Sequence, residues 1–134
     1  MSPEQPDAKT LIARHHLAPH PEGGWYRETW RAAAEDGERA GGTAILFLLE
    51  QGQSSHWHKV DADEIWFWHA GAAIELRIGS ETVMLDAASP QALVPASVWQ
   101  AAHARTGFAL VSCVVVPGFE FAGFTLAPPG WEPD

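Results

Sequence analysis

Apolar and polar positions follow two different periods along this chain, and the change falls near Gly24. Before it, "DAKTLIARHHL" puts Leu11, Ile12 and His15 on one face at helical spacing, with Asp7 placed to cap the first turn. The prolines and paired glycines of "APHPEGG" then stop the pattern, which predicts one short helix over about residues 7–18. After Gly24 the period falls to two. "WYRETWR" alternates, with Trp25, Arg27 and Thr29 on one face and Tyr26, Glu28 and Trp30 on the other. "TAILFLLE" is almost continuously apolar, as a strand covered on both faces would be. The stretch between them, "AAAEDGERAGG", carries an Asp-Gly turn signal and reads as a loop. "SSHWH", "DEIWFWHAG", "AIELRIG", "ETVMLD", "QALVPA", "VWQAAHA" and "FALVSCVVVPGF" then follow at regular intervals. Short strands so spaced predict an all-β sandwich or barrel over about residues 24–127. A polar, Pro-containing start is expected to fray, and the Pro-rich stretch 128–134 to be coil.

The length of 134 residues suits a single domain spanning 1–134, large enough to bury a core. A formal net charge of -9 and a pI near 5.1 argue against a nucleic-acid partner, which would call for a basic footprint. Cys113 is the sole cysteine, so an internal disulfide is excluded; its setting in "ALVSCVVVP" reads as a buried thiol. "MSPEQPDAKT" lacks the basic and apolar stretches of a secretion signal, and no run approaches the length of a membrane span. A soluble cytoplasmic protein, with no membrane partner, is the expectation.

The candidate chemistry is concentrated in "SSHWHKVDADEIWFWHAG". If "SSHWH" is a strand, His56 and His58 share a face, and Lys59 points away from it. In the next strand Glu64, Trp66 and Trp68 share one face, while Ile65, Phe67 and His69 take the other. A hairpin of this kind can bring two imidazoles and a carboxylate together, a donor set suited to a first-row divalent metal with one position left open. The same groups can instead satisfy one another by hydrogen bonds with no ion present. Trp66 and Trp68 either wall a ligand pocket or fill the core. Arg27 can bind a carboxylate or phosphate bidentately, or pair with Glu22 or Glu28 at the surface.

The segment resembles the first motif of the cupin superfamily, in which a glycine, His-x-His, a glutamate and a second glycine recur at set spacing. His56, His58, Glu64 and Gly71 match, with one residue more than usual between His58 and Glu64 and with Gly52 closer to His56. The second cupin motif is met by Pro95 in "SPQALVPASVWQAAHA", where Ser97 replaces a glycine, Gln100 the third histidine and Ala104 an asparagine. His103 falls, by strand parity, on the opposite face from Gln100. From about His20 to Ala127 the chain is similar to one small cupin family often labelled predicted sugar epimerases. The likeness is carried by "HPEGGWYRETWR", "WHKVDADEIW", "VPASVWQAA" and "CVVVPGFEFAGFTLA".

That resemblance implies a jelly-roll β-barrel (a double-stranded β-helix), commonly a homodimer, with a small-molecule ligand inside the barrel. His56, His58, Glu64 and Gln100 become the expected ligands of one divalent ion (zinc, nickel, iron or manganese), or the polar lining of a metal-free site. His58 and Glu64 are the expected catalytic acid and base; Arg27, Trp66, Trp68 and Gln100 are the expected substrate contacts. Three functions stand open: an isomerase or epimerase of a sugar-like or carboxylate-bearing metabolite, a non-catalytic binding module, and a metal-dependent oxygenase. Gln100 in the third-histidine slot weighs against the last.

Overall fold

The structure, a computed structural model, describes residues 6–133; the start expected to fray and the last residue of the expected coil, Asp134, lie outside the described residues. One helix, α1 (Ala8–Arg14), precedes β1 (Ala18–Pro19), β2 (Trp25–Arg31), β3 (Thr43–Leu49), β4 (Ser54–Val60) and β5 (Asp63–Gly71). There follow β6 (Ile74–Ile78), β7 (Glu81–Leu85), β8 (Gln91–Val94), β9 (Gln100–His103) and β10 (Ala109–Val116). A 3-10 turn at Phe121–Gly123 leads into β11 (Phe124–Leu126), a strand the sequence pattern did not mark. All pairings are antiparallel and build two sheets, one ordered β1-β2-β3-β10-β5-β8 and the other β11-β4-β9-β6-β7. The main core draws on both sheets, with Phe47, Trp66 and Val111 from the first against Leu76, Leu85 and Ala102 from the second. This is the two-sheet jelly roll of the cupins.

The helix stops before residue 18 for a local reason. Asp7 Oδ1 accepts the Thr10 N–H at 2.8 Å, as an N-cap should. At the other end His16 takes a left-handed φ of 54°, and the N–H groups of His16 and Leu17 return to Ala13 O and Ile12 O at 3.3 and 3.0 Å. That is a Schellman turn, formed here on a histidine instead of a glycine. Leu11 and Leu17 then pack on Leu48 and Leu110, on the outer face of the six-stranded sheet. β3 is therefore covered on both sides, Phe47 and Leu49 facing the barrel and Leu46 and Leu48 the helix, as its continuous apolar pattern required.

Two strands depart from simple alternation, and both departures shape the interior. The register of β2 against β3 slips between Glu28 and Trp30. The extra residue turns Arg31 to the side of Glu28, while Trp30 is left 53% exposed. The register of β4 against β9 slips between Ser55 and His58. There the His56 N–H leaves the ladder and donates to Glu22 O at 2.8 Å, in the loop between β1 and β2. That loop lies so close to β4 that a Cβ on Gly23 (φ 107°) would fall 2.3 Å from Ser54 O. Only glycine fits there.

The second cupin motif leaves a similar trace: Ser97, standing where the motif has glycine, has a φ of 64°. No described helix is long and apolar enough to cross a membrane.

Candidate functional site

A cavity of about 300 Å³ opens between the sheets, at the end of the barrel where β5 begins. Its depth is lined by His20, Glu22, His58, Glu64 and Cys113. Toward the mouth stand Glu28, Arg31 and three phenylalanines, Phe119, Phe121 and Phe124, packed edge to face. Arg31 is held by Glu28 through Nη2 at 2.6 Å and Nε at 3.2 Å, and Nη2 also reaches Phe119 O at 3.0 Å.

The deep end is built on one ion-pair-like contact. His58 Nε2 lies 3.1 Å from Glu22 Oε2, with both side chains buried. His58 Nδ1 lies 2.8 Å from the His56 carbonyl, which can only accept, so Nδ1 carries a hydrogen. In the neutral ring Nε2 is then an acceptor, and the proton between the two residues comes from Glu22. Electrostatics agree: burial pushes the Glu22 carboxyl up to about 8. Burial also pushes the His58 imidazole down, against the pull of the nearby Glu64 carboxyl. Each shift disfavours the charged form in a dry site. The pair therefore holds one labile proton at neutral pH. His20 completes this wall as a neutral ring, lowered to about 4 by burial and then by His58. Its Nδ1 accepts the Glu22 N–H at 3.1 Å, and its ring stands edge-on to Tyr26 at 4.4 Å.

Glu64 is the second buried carboxyl. Its Oε1 accepts from Gln100 Nε2 at 2.8 Å, and Gln100 Oε1 accepts from the Trp66 indole at 2.9 Å. Burial raises Glu64; nearby His58 and the Gln100 bond oppose that, and Glu22 adds to it. The Cys113 thiol beside it is driven well above its ordinary range by burial and by both carboxyls, so it is inert as a nucleophile.

Several expected site residues lie elsewhere. His56 does not join His58: the slip in β4 turns it outward, where its Nε2 meets Pro128 O at 2.9 Å. Gln100 comes next to Glu64, but its oxygen is occupied by Trp66 and its side chain does not reach the cavity. Trp66 and Trp68 face inward with Glu64 as the alternation required, yet they sit further along β5, where the barrel is filled. Trp66 is core, 1% exposed, and Trp68 spends its indole N–H on Ala72 O at 2.9 Å. Arg27 projects from the outer face and donates through Nε to His15 O at 2.7 Å, closing the end of α1 instead of meeting a substrate.

The expected metal set therefore does not fit. His56 points away, the Gln100 oxygen and His58 Nδ1 are already bonded, and among the described residues no three His, Cys, Asp or Glu side chains are arranged to hold an ion. Residues the sequence reading passed over take their places: His20, Glu22, Tyr26, Arg31 and the phenylalanines. The signal for the first two was present. An imidazole and a carboxyl precede Gly23 and Gly24, and paired glycines mark a backbone that must come close to something.

Two facing antiparallel sheets with a polar pocket at one open end define a cupin barrel. A family model described as "Cupin superfamily (DUF985)" matches residues 9–127, and the chain belongs to that family. It is similar to a hypothetical protein from Leishmania major, at 30% identity and a TM-score of 0.82, over 91% of this chain and 88% of that one. A Shewanella oneidensis protein solved by X-ray crystallography is 38% identical, with a TM-score of 0.81 over 92% of this chain and 85% of that one. KdgF from a Halomonas species shares the fold at 18% identity, with a TM-score of 0.65 over 82% of this chain and 93% of that one. No curated protein matches the chain. These likenesses give the fold; a reaction has to be argued from the pocket.

Proposed function

We propose that the protein is an isomerase that moves a proton at a carbon next to a carbonyl, using its own acid and base groups without a metal. The observation that carries the reading is the buried Glu22–His58 contact at 3.1 Å facing the same cavity as Glu64. Burial pushes the Glu22 carboxyl up to about 8, raises Glu64 and holds the His58 imidazole neutral, so the Glu22–His58 pair keeps a proton to give at neutral pH, as a general acid must. Glu64, once ionised, is a stronger base than an exposed carboxylate because its charged form is poorly solvated.

In the proposed step Glu64 takes the proton from the carbon beside the carbonyl. The C–H electron pair becomes the new C=C bond, and the carbonyl π pair moves to oxygen. That oxygen takes the proton held between Glu22 and His58, giving a neutral enol. In an α-hydroxy carbonyl compound the enol is an enediol. Its C=C pair takes the Glu64 proton at the former carbonyl carbon, and the hydroxyl on the carbon first deprotonated gives its proton back to the Glu22–His58 pair as its O–H electrons form the new C=O, which yields the isomer. The cavity, at about 300 Å³, is at the small end for ligand sites, which suits a small sugar-like or carboxylate-bearing compound. Phe119, Phe121 and Phe124 would cover its apolar side, and Arg31 would meet its polar end.

The test is incubation with a panel of keto sugars, aldoses and keto acids in deuterium oxide, read by proton NMR. Loss of the signal beside a carbonyl, abolished by Glu64→Gln and by His58→Asn, is the expected result. Binding of a panel member with no exchange would replace the enzyme with a non-catalytic binding module.

A further inference from the structure

We propose that Gln100 is a positioning residue that decides which oxygen of Glu64 exchanges a proton with the ligand. The inference rests on Glu64 being the base of the isomerisation proposed above. Its ground is the buried chain Trp66–Gln100–Glu64, with contacts of 2.9 and 2.8 Å.

Each link in that chain has one allowed direction. An indole N–H can only donate, so the Gln100 oxygen must face Trp66. The Gln100 NH₂ must then face Glu64, and the usual ambiguity of an amide side chain is removed. An NH₂ group can only donate as well, so Glu64 Oε1 is an acceptor whether Glu64 is ionised or not. A carbonyl oxygen accepts better than a hydroxyl oxygen, so the Gln100 bond favours placing a Glu64 proton on Oε2. Gln100 is 1% exposed and does not line the cavity, whereas Glu64 does. The oxygen held by Gln100 is thus the rear one, and the free oxygen is the one that can serve the ligand.

The anchor is rigid. Trp66 is 1% exposed, packed edge-on against Phe47 at 6.0 Å between ring centres. A donor on Oε1 also stabilises the ionised form, opposing the larger effect of burial. Gln100 consequently acts twice, fixing the orientation of Glu64 and favouring its ionised form against the effect of burial. The Cys113 thiol also bonds the Glu64 carboxyl, a weaker donor than the Gln100 amide.

The experiment compares the wild type with Gln100→Met, which keeps the volume without the donor, and with Trp66→Phe, which keeps the donor but unlocks the amide. The Glu64 side-chain carbon is titrated by ¹³C NMR, and deuterium exchange is followed against pH on a panel compound that the wild type turns over. In Gln100→Met the Glu64 titration should move up by on the order of one pH unit, with the acid limb of the exchange profile moving alongside it. The exchange kcat should fall by about tenfold or more with KM little changed. Trp66→Phe should show the same shift, smaller. A Glu64 titration identical in wild type and Gln100→Met, with both folded by thermal melting, would overturn the proposal. A shifted titration in a protein that exchanges no panel compound would uphold the positioning and count against the isomerase reading.

Discussion

Replacing Glu22 by glutamine should make the protein more stable at alkaline pH, and the gain can be worked from the site. The Glu22 carboxyl titrates at about 8 in the folded protein, against an ordinary value of 4.5, because burial penalises its charge. Between those values the unfolded chain has released a proton that the folded protein still holds. Stability contributed by this group is therefore complete below 4.5 and lost as pH rises through about 8. At about 1.4 kcal/mol per pH unit the loss approaches 5 kcal/mol. That is a ceiling, since His58 can take up part of the charge change across the 3.1 Å contact. His20 and His58, both lowered, work in the opposite sense and are lost toward acid pH. Glu64, also raised by burial, adds to the alkaline loss, so the wild type should lose stability as pH rises above the ordinary imidazole value of 6.5. Glu22→Gln keeps a donor to His58 and has no proton to lose. Urea unfolding, followed by tryptophan fluorescence from about pH 5 to about pH 9, gives the stability difference between the two proteins. It should shift in favour of the variant by about 2–5 kcal/mol across that range. A difference that stays constant with pH, or that moves in favour of the wild type, would refute the reasoning.

Two further outcomes follow from the same geometry. Zinc and nickel should be retained no better by the wild type than by His58→Ala in equilibrium dialysis; tight retention lost in that variant would restore the metal reading. Homodimer formation is expected through the outer face of the six-stranded sheet, where Ala44, Val114, Ile65 and Leu93 form an apolar row and Leu93 and Val116 are 54% and 53% exposed. Sedimentation should give twice 14.6 kDa at micromolar concentration, and a single species at 14.6 kDa would contradict it.

Much of the barrel could be read from the chain because its strands obey simple rules. β2 and β5 begin and end where alternation placed them, and β3 is apolar throughout because a helix and a core cover its two faces. The site was less legible, for a reason that parity arguments cannot see. One added residue in β4 separates His56 from His58, and one in β2 brings in Arg31. The slip in β4 goes with a contact distant in sequence, the His56 N–H turning to Glu22 O. Glu22 itself lies in a segment that local rules read as a turn, and only the close approach of Gly23 to β4 carries it inside. Trp66 shows the opposite error: its face was legible, but which end of the barrel would be filled was not.

The protonation of His58 offers the most direct test of the proposed chemistry. The ring nitrogens of ¹⁵N-labelled protein, assigned by their disappearance in His58→Asn, can be read from long-range proton–nitrogen correlations at neutral pH. The account predicts a neutral ring with hydrogen on Nδ1, bonded to the His56 carbonyl, and a bare Nε2 accepting from Glu22. A ring protonated on Nε2 alone, or on both nitrogens, would contradict it.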